Sequence, residues 1–431
     1  MHNSKSTKNL AQWLSYIESL HPKSIAMGLD RVKQIINRLK LHPKFTIITV
    51  AGTNGKGSTC AMLEQIYTNA GYQVGCYTSP HLLRYNERVR TNKQEASDEA
   101  LCAAFAAVDE GRVDANGEVI ALTYFEVGTL AAMWYFMQTG VDVAILEIGL
   151  GGRLDAVNAF EPNCSIVTSV DLDHQEFLGN TRESIGFEKA GVYRKSLPAI
   201  CGDVIPPASL VAYAREVKAD FRCVNQDFHF ALVGVDSWRY SSGGIAYTLP
   251  IPALKGAYQL SNASCAVAAV ESLQSRLPVT ESHIACAMRQ VSLAGRFQTV
   301  ANSPHIILDV AHNPHAASAL AKNLNAIKAA KSQTIAVFAM LADKDIQGVV
   351  KAVKDEIDIW YVAGIDNVRG ASADDLAIIV SETDKNAKLK IFQNANIAYQ
   401  QACIDAGEND KIIVFGSFYT VASVMQSFLA Y

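Results

Sequence analysis

The chain has 431 residues, enough for two or three domains with substantial cores. With 49% hydrophobic and 19% charged residues the composition is ordinary for a globular protein, and a net charge of −4 excludes a global pull toward nucleic acid or anionic membrane. Nine scattered cysteines without a C-x-x-C pair, a polar start from Met1 to Lys8 and no apolar run near the ~20 residues of a membrane span point to reduced thiols in the cytoplasm.

Helical patterns near 8–19 and 29–39 precede an apolar strand run at 46–51. That strand leads into Val50-Ala-Gly-Thr-Asn-Gly-Lys-Gly-Ser58, followed by a helical pattern at 59–70. Strand, glycine-rich turn and helix is the layout that cradles a nucleotide phosphate, because glycines admit the phosphate to backbone N–H groups and the helix N-terminus adds partial positive charge. Lys56 can reach the outer phosphates and Ser58 can serve Mg2+ or a phosphate. The spacing departs from G-x-x-x-x-G-K-[ST]: Gly52 lies three residues before Gly55, and Gly57 separates Lys56 from Ser58. This points away from ordinary GTPases and kinases, with a plain glycine-rich turn as the bland alternative.

A strand at 73–78 runs into Tyr77-Thr-Ser-Pro-His-Leu82, where the Ser79 hydroxyl could coordinate Mg2+. Arg84, Arg88, Arg90 and Lys93 follow, either as a solvated loop or as a clamp on a carboxylate-bearing substrate. After a helix at 97–109, Thr123-Tyr-Phe-Glu126 opens a helix at 122–139, and Phe125 either stacks on a flat heteroaromatic ring or joins the core. The strand at 142–148 delivers Glu147 to a glycine-rich turn, a carboxylate position suited to Mg2+ or to capping. A dinucleotide fingerprint starting at Gly149 fails because Leu154 occupies its third glycine position. The strand at 165–170 ends in Asp171-Leu-Asp173-His174, a set that could meet metal, although a lone histidine is usually structural. Lys189 closes a helix at 182–190, where composition alone suggests a solvated lysine.

A strand at 198–201 precedes short alternating runs at 221–250, read as an antiparallel insertion, and a helix at 258–275. A second α/β series starts near His305, with strands at 305–310, 334–340, 358–363 and 411–416, so a boundary is placed at Leu293–Phe297. Two such domains, 1–294 and 295–431, would form a ligand cleft. Asn313 and Pro314 suit an N-cap and first helical position, but capping explains neither Asp309 nor His312. Lys344 and Gly416-Ser-Phe-Tyr419 also follow strands and should share that edge.

In this order, Ala51-Gly-Thr-Asn-Gly-Lys-Gly-Ser58, Thr78-Ser-Pro-His-Leu82, Glu87-Arg-Val-Arg90, Thr123-Tyr-Phe-Glu126, Glu147-Ile-Gly-Leu-Gly-Gly-Arg-Leu-Asp155, Glu188-Lys-Ala-Gly191, Gly295-Arg-Phe297 and Asp309-Val-Ala-His-Asn-Pro314 resemble the Mur-ligase-like ATP-dependent amide ligases. Within them the resemblance is to the bacterial bifunctional dihydrofolate synthase/folylpolyglutamate synthase family, over essentially the whole chain. It implies an N-terminal P-loop parallel-sheet ATPase domain with a small antiparallel insertion and a C-terminal Rossmann-like α/β glutamate-ligase domain. It also implies that Thr53, Asn54, Gly55, Lys56, Gly57, Ser58, Asn262, Arg296 and Asp309 contact ATP. Ser79, Glu147, His174 and a carbamylated Lys189 would hold two Mg2+ ions. Ser24, Ile25, Ala26, Met27, Thr123, Tyr124, Phe125, Glu126, Leu154, Asp155 and Ala156 would bind a pterin. Lys56, Lys189 and His312 would be catalytic. The implied partners are ATP, L-glutamate, 7,8-dihydropteroate and reduced folates, with no nucleic acid, membrane or organic cofactor, acting as a cytoplasmic monomer. The sequence after His174 departs from the family pattern, and Tyr419 stands where histidine is common. A folylpolyglutamate synthase alone, another Mur-type amide ligase, or a P-loop switch are the alternatives; the switch lacks an Asn-Lys-x-Asp motif, Asn92-Lys-Gln-Glu95 being the nearest approach.

Overall fold

In the computed structural model, which describes residues 8–23, 25–329 and 332–429, the apolar runs of the first half pair into one eight-stranded sheet. Its strands are β1 (Thr46–Ala51), β2 (Val74–Tyr77), β3 (Val89–Thr91), β4 (Gln94–Glu95), β5 (Val143–Glu147), β6 (Cys164–Val167), β7 (Pro198–Cys201) and β8 (Asp220–Cys223). The order is β4-β3-β2-β5-β1-β6-β7-β8. The six strands from β2 to β8 in that order run parallel, while β3 and β4 add an antiparallel edge. Every position of β1 and β5 is buried, as in parallel strands covered on both faces. Val50 pairs with Glu147, so the loops after β1 and β5 leave the sheet side by side. The chain works outward from β1 toward β2 on one side and β6 on the other, which makes this a topological switch point, the usual place for a ligand in an open α/β sheet.

Helices Lys56–Asn69, Asp98–Arg112, Tyr124–Thr139 and Arg182–Ala190 flank these strands. Val127, Leu130, Met133 and Phe136 of the third pack in one core with Leu146 and Val167. The phosphate-loop helix begins at Lys56 rather than near residue 59, because Gly55 supplies its left-handed N-cap. The expected antiparallel insertion is shorter than the 221–250 reading: Phe221 and Cys223 belong to β8, which pairs parallel with β7. Only β9 (Phe228–Leu232), β10 (Ser237–Ser242) and β11 (Ile245–Pro250) form the separate antiparallel sheet. It is tied down by Glu271, which accepts from Tyr240 Oη at 2.6 Å and from Arg222 of β8 at 2.9 Å.

The second sheet comprises β12 (Gln298–Asn302), β13 (His305–Leu308), β14 (Thr334–Phe338), β15 (Ile359–Ala363), β16 (Lys388–Phe392) and β17 (Lys411–Phe415), in the order β12-β13-β17-β14-β15-β16. All are parallel except β12. Phe338, Trp360 and Phe415 pack edge-on or tilted at its centre, with ring centres 5.0–6.3 Å apart. The chain divides into one unit of Met1–Ile251 with Leu260–Val291 and another of Pro252–Gln259 with Ser292–Tyr431. Among the described residues no helix is long and apolar enough to cross a membrane.

Candidate active site

The loop after β1 is built to bring backbone close to a ligand. Gly52 has φ +141° and Gly55 φ +89°, and a Cβ on either would meet Thr168 Oγ1 at 2.0 Å or Asn262 Oδ1 at 2.3 Å. The segment after β6 braces the loop: Thr53 N–H donates to Ser169 O at 2.8 Å, Asn54 N–H to Ser169 Oγ at 3.1 Å, and Thr168 Oγ1 to Asn54 O at 2.7 Å. Thr53 Oγ1 donates to Asp171 O and accepts from Asp171 N–H. Lys56 reaches back over the loop, its Nζ donating to Gly52 O and Thr53 O, both at 3.1 Å. Gly57 and Ser58 form the first helical turn, and Ser58 is buried. The loop therefore has fixed N–H groups, a helix N-terminus and an ammonium in one place, the requirements for a polyphosphate.

Glu147 is buried at the end of β5, and its Oε2 accepts the Ser79 N–H at 3.1 Å. Ser79 follows β2, so strand adjacency brings these two expected metal ligands together. His174 has φ +49°, its N–H donates to Asp173 Oδ1 at 2.9 Å, and its ring lies 4.0 Å from the same oxygen.

Lys189 is not a solvated lysine: it is 4% exposed. Its helix is pinned to the loop after β5, where Arg153 N–H donates to Glu188 O at 2.8 Å, Arg153 pairs with Glu188 Oε1 at 2.8 Å, and Asn158 Nδ2 donates to Arg153 O and Gly191 O, both at 3.0 Å. Burial and the nearby Lys56 ammonium push the Lys189 amine down to about 7, against Asp173 and Asp155, which favour its charge. A neutral buried amine is the form that adds CO2. The resulting carbamate would replace repulsion between Lys56 and Lys189 by attraction.

Among the described residues no three His, Cys, Asp or Glu side chains form a metal cluster by themselves. The expected set does not require one: a carboxylate, a hydroxyl, an imidazole and a carbamate, completed by phosphate oxygens, suit Mg2+, which favours oxygen and keeps few protein ligands. The buried, Ser79-bonded Glu147 and the depressed Lys189 fit that chemistry.

Several of the residues expected at a pterin lie near one another; Ser24 lies outside the described residues. Half-buried Phe125 stands over Gly149, where a Cβ would meet its ring at 2.6 Å. Met27 Cε lies 3.9 Å from the Cβ position of Gly151, and Gly28 N–H donates to Leu154 O at 3.3 Å. Ile25 and Ala26 are half-buried beside Met27 in sequence, and Tyr124 precedes Phe125 on the first turn of its helix. Thr123 and Glu126 form a capping box, with Thr123 N–H to Glu126 Oε2 at 2.7 Å and Glu126 N–H to Thr123 Oγ1 at 3.2 Å. Glu126 Oε1 pairs with Arg31 at 2.8 Å, and Arg31 also donates to Ala26 O at 2.8 Å, so this carboxylate ties the wall together. Asp155 is buried ahead of Ala156 and accepts N–H bonds from Leu150 and Val157 at 2.8 and 2.9 Å, while burial pushes its carboxyl up to about 7.

In the second unit, Asp309 follows β13 and accepts from Phe297 N–H and Ala311 N–H, both at 2.8 Å. Burial raises its carboxyl, opposed by Arg296. The Arg296 guanidinium lies 5.2 Å from the Phe418 ring centre. His312 Nδ1 bonds Val310 O at 2.8 Å, so that nitrogen is the donor and Nε2 is the basic one in the neutral ring. Asn313 caps helix Pro314–Ala326, with Pro314 at its first position, as its sequence indicates. Tyr419 is half exposed. Sequence reasoning missed Thr168, Ser169, Arg31, Arg153 and Asn158. Arg153 sits inside the Glu147–Asp155 motif without a role being read for it, and the bonds that give these residues their roles, such as Arg31 to Glu126, Arg153 to Glu188 and Asn158 to Gly191, join positions distant in sequence.

Comparison with known proteins matches residues 50–270 to the Mur ligase middle domain and 295–418 to the Mur ligase glutamate ligase domain. The chain is 43% identical to the dihydrofolate synthase/folylpolyglutamate synthase of Escherichia coli K12, over 97% of this chain and 95% of that protein. It resembles the solved structure of E. coli FolC in complex with DHPP and ADP, with a TM-score of 0.92, 42% identity and 99% of both chains covered. A bifunctional folylpolyglutamate synthase/dihydrofolate synthase with Mn, AMPPNP and L-glutamate bound gives a TM-score of 0.90 at 43% identity, covering 99% of this chain and all of the other at 100%.

Proposed function

This chain belongs to the Mur ligase family, and from that premise we propose that it adds L-glutamate to 7,8-dihydropteroate, giving dihydrofolate, and to reduced folates, giving folylpolyglutamates, at the expense of ATP. The observation that carries the reading is the shared neighbourhood of Lys56, Lys189, Asp173 and Asp155, with the Asp155 loop also facing the Phe125 wall. A phosphate site and a flat-ring site thus share one loop.

A free carboxylate resists amine attack because it offers no leaving group. In the proposed reaction a carboxylate oxygen of the pterin-linked substrate attacks the γ-phosphorus of ATP, releasing ADP and forming an acyl phosphate. The glutamate nitrogen then attacks the acyl carbon, and the tetrahedral intermediate expels phosphate. Ser79, Glu147, His174 and Lys189 as carbamate would hold two magnesium ions, which when bound neutralise charge on the phosphates. Thr53 to Ser58 position the phosphates, and Lys56 offsets charge building on the transferred group. Asn262, Arg296 and Asp309 are assigned to ATP. Met27, Phe125, Leu154 and Ala156 orient the pterin, with Thr123, Glu126 and Asp155 fixing that wall. His312 Nε2 is assigned the proton lost by the amine. The division of labour assigns residues 1–294 to pterin and most of the ATP contacts, and 295–431 to glutamate, with Arg296 and Asp309 of the latter reaching ATP. A monomer in the cytoplasm is the expected form, in keeping with nine unpaired cysteines.

The test is Mg-ATP-dependent phosphate release with L-glutamate, using 7,8-dihydropteroate and a reduced folate separately. Release with both acceptors is expected. Release with one would leave a single activity, and release with neither, with ATP still bound, would reassign the chain to another Mur-type acceptor.

A further inference from the structure

Of the four cations after β2, three are already engaged. Arg90 forms a buried pair with Glu64 at 2.9 Å and also donates to Glu87 O and Thr78 Oγ1. Lys93 bonds Gln65, and Arg84 is exposed beside Asp98 at 3.5 Å. Arg88 differs. Its Nε–H donates to His81 Nδ1 at 2.8 Å, and its guanidinium carbon lies 5.3 Å from the Tyr85 ring centre and 5.6 Å from that of Tyr124. Among the described residues no hydrogen bond or ion pair engages its Nη atoms.

Two facts suggest what those atoms face. The Arg88 carbonyl accepts the Thr78 N–H at 2.9 Å, and the next residue, Ser79, donates to Glu147, so Arg88 is fastened to the metal-side loop. On its other side Tyr124 adjoins Phe125, whose ring lies 6.0 Å from Tyr77. The guanidinium is thus tied through Thr78 to the Ser79–Glu147 side and through Tyr124 to the Phe125 side, the two regions that a flat substrate carrying a carboxylate would have to reach. The Arg88 Nε–H can only donate, so His81 Nδ1 is the acceptor and its ring proton sits on Nε2. That bond and the two tyrosine faces fix the guanidinium plane.

We propose that Arg88 is a substrate-binding residue whose Nη edge receives a substrate carboxylate, with His81 as the positioning residue that sets its plane. This rests on the ligase reading above and names the group that reads the acceptor's charge. A planar two-donor edge suits a carboxylate, and lysine could not reproduce it. Two carboxylates meet the description: that of the pterin-linked acceptor and that of incoming glutamate.

The experiment measures binding of 7,8-dihydropteroate, its uncharged carboxamide and the bare dihydropterin, with a non-hydrolysable ATP analogue present, together with the KM for glutamate. Wild type should prefer carboxylate to carboxamide by roughly 10- to 100-fold. Arg88→Met should lose that preference and keep dihydropterin and nucleotide affinity, and Arg88→Lys should keep part of it. His81→Leu should weaken the preference and His81→Asn, whose Oδ1 can accept the Nε–H, should restore it, a rescue that a purely structural role would not produce. If acceptor preference survives in Arg88→Met while the KM for glutamate rises at least about tenfold, the carboxylate is glutamate's. Unchanged preference and unchanged glutamate KM in folded Arg88→Met and Arg88→Lys would overturn the proposal. Wild type binding neither dihydropteroate nor dihydropterin would overturn the ligase reading, and this proposal with it.

Discussion

Gly55 carries two constraints at once: a φ of +89° and the Asn262 amide at the position of a Cβ. Alanine there would be strained by about 1–2 kcal/mol in the left-handed region and would displace Asn262, so Gly55→Ala should unfold somewhat earlier in denaturant and bind ADP at least about tenfold more weakly in calorimetry. Lys56→Ala removes the ammonium together with its bonds to Gly52 O and Thr53 O. Its turnover should fall by about 10²–10³ with the fold intact, and turnover within a few-fold of wild type would sink the assignment of the loop to phosphate transfer. Lys56 was legible because Gly-Lys-Gly-Ser follows an apolar strand. The burial of Lys189 was not, since the bonds that pin the end of its helix, at Glu188 and Gly191, come from Arg153 and Asn158 on another loop. Nor could spacing show that Arg90 is a structural ion pair and Arg88 an open edge.

Long periodic elements were legible, including the helices at Asp30–Leu39, Tyr124–Thr139 and Arg182–Ala190 and the buried central strands. The strands missed were short or at edges. In β12 (Gln-Thr-Val-Ala-Asn) and β16 (Lys-Leu-Lys-Ile-Phe), polar residues blunt the apolar signal where one side faces no partner strand. The antiparallel β3-β4 margin is instead secured by Arg90 of β3, whose pair with Glu64 has side-chain exposures of 15% and 4%. Arg90→Ala leaves that carboxylate buried alone and should cost about 3 kcal/mol in denaturant unfolding, while Arg90→Met with Glu64→Leu should recover most of it. An unchanged midpoint in Arg90→Ala would show that the pair contributes little. At the helix carrying Phe125, the Thr123 cap is worth about 1 kcal/mol. Thr123→Ala should therefore unfold slightly earlier and also raise the acceptor KM, because the first turn it fixes holds the ring. A stability loss without a KM change would separate the cap from the wall.

At the scale of the molecule, alternating strands and helices indicated two α/β sheets because each must bury both faces of its parallel strands. The segment Pro252–Gln259 clusters with the second unit although it lies ahead of helix Gln259–Ser272, a placement set by tertiary contacts such as Ala257 N–H to Asn323 Oδ1 at 2.9 Å. Global stability should register the buried amine of Lys189. In CO2-free buffer its pKa is about 7 when folded against an ordinary 10.5. Between those values the unfolded chain holds a proton that the folded chain lacks, so this group's contribution to stability rises with pH across the window and falls as pH drops toward 7. Below about 7 both states are protonated and the full penalty, on the order of a few kcal/mol, is present. Lys189→Met removes it. The variant should therefore be more stable than wild type near neutral pH, with the gap closing toward pH 10.5. A gap independent of pH would mean that Asp173 and Asp155 already compensate the charge. Labelled bicarbonate provides the complement: if the folded amine becomes a carbamate, wild type should gain a labelled carbonyl resonance and lose part of its deficit near neutral pH, while Lys189→Met does neither.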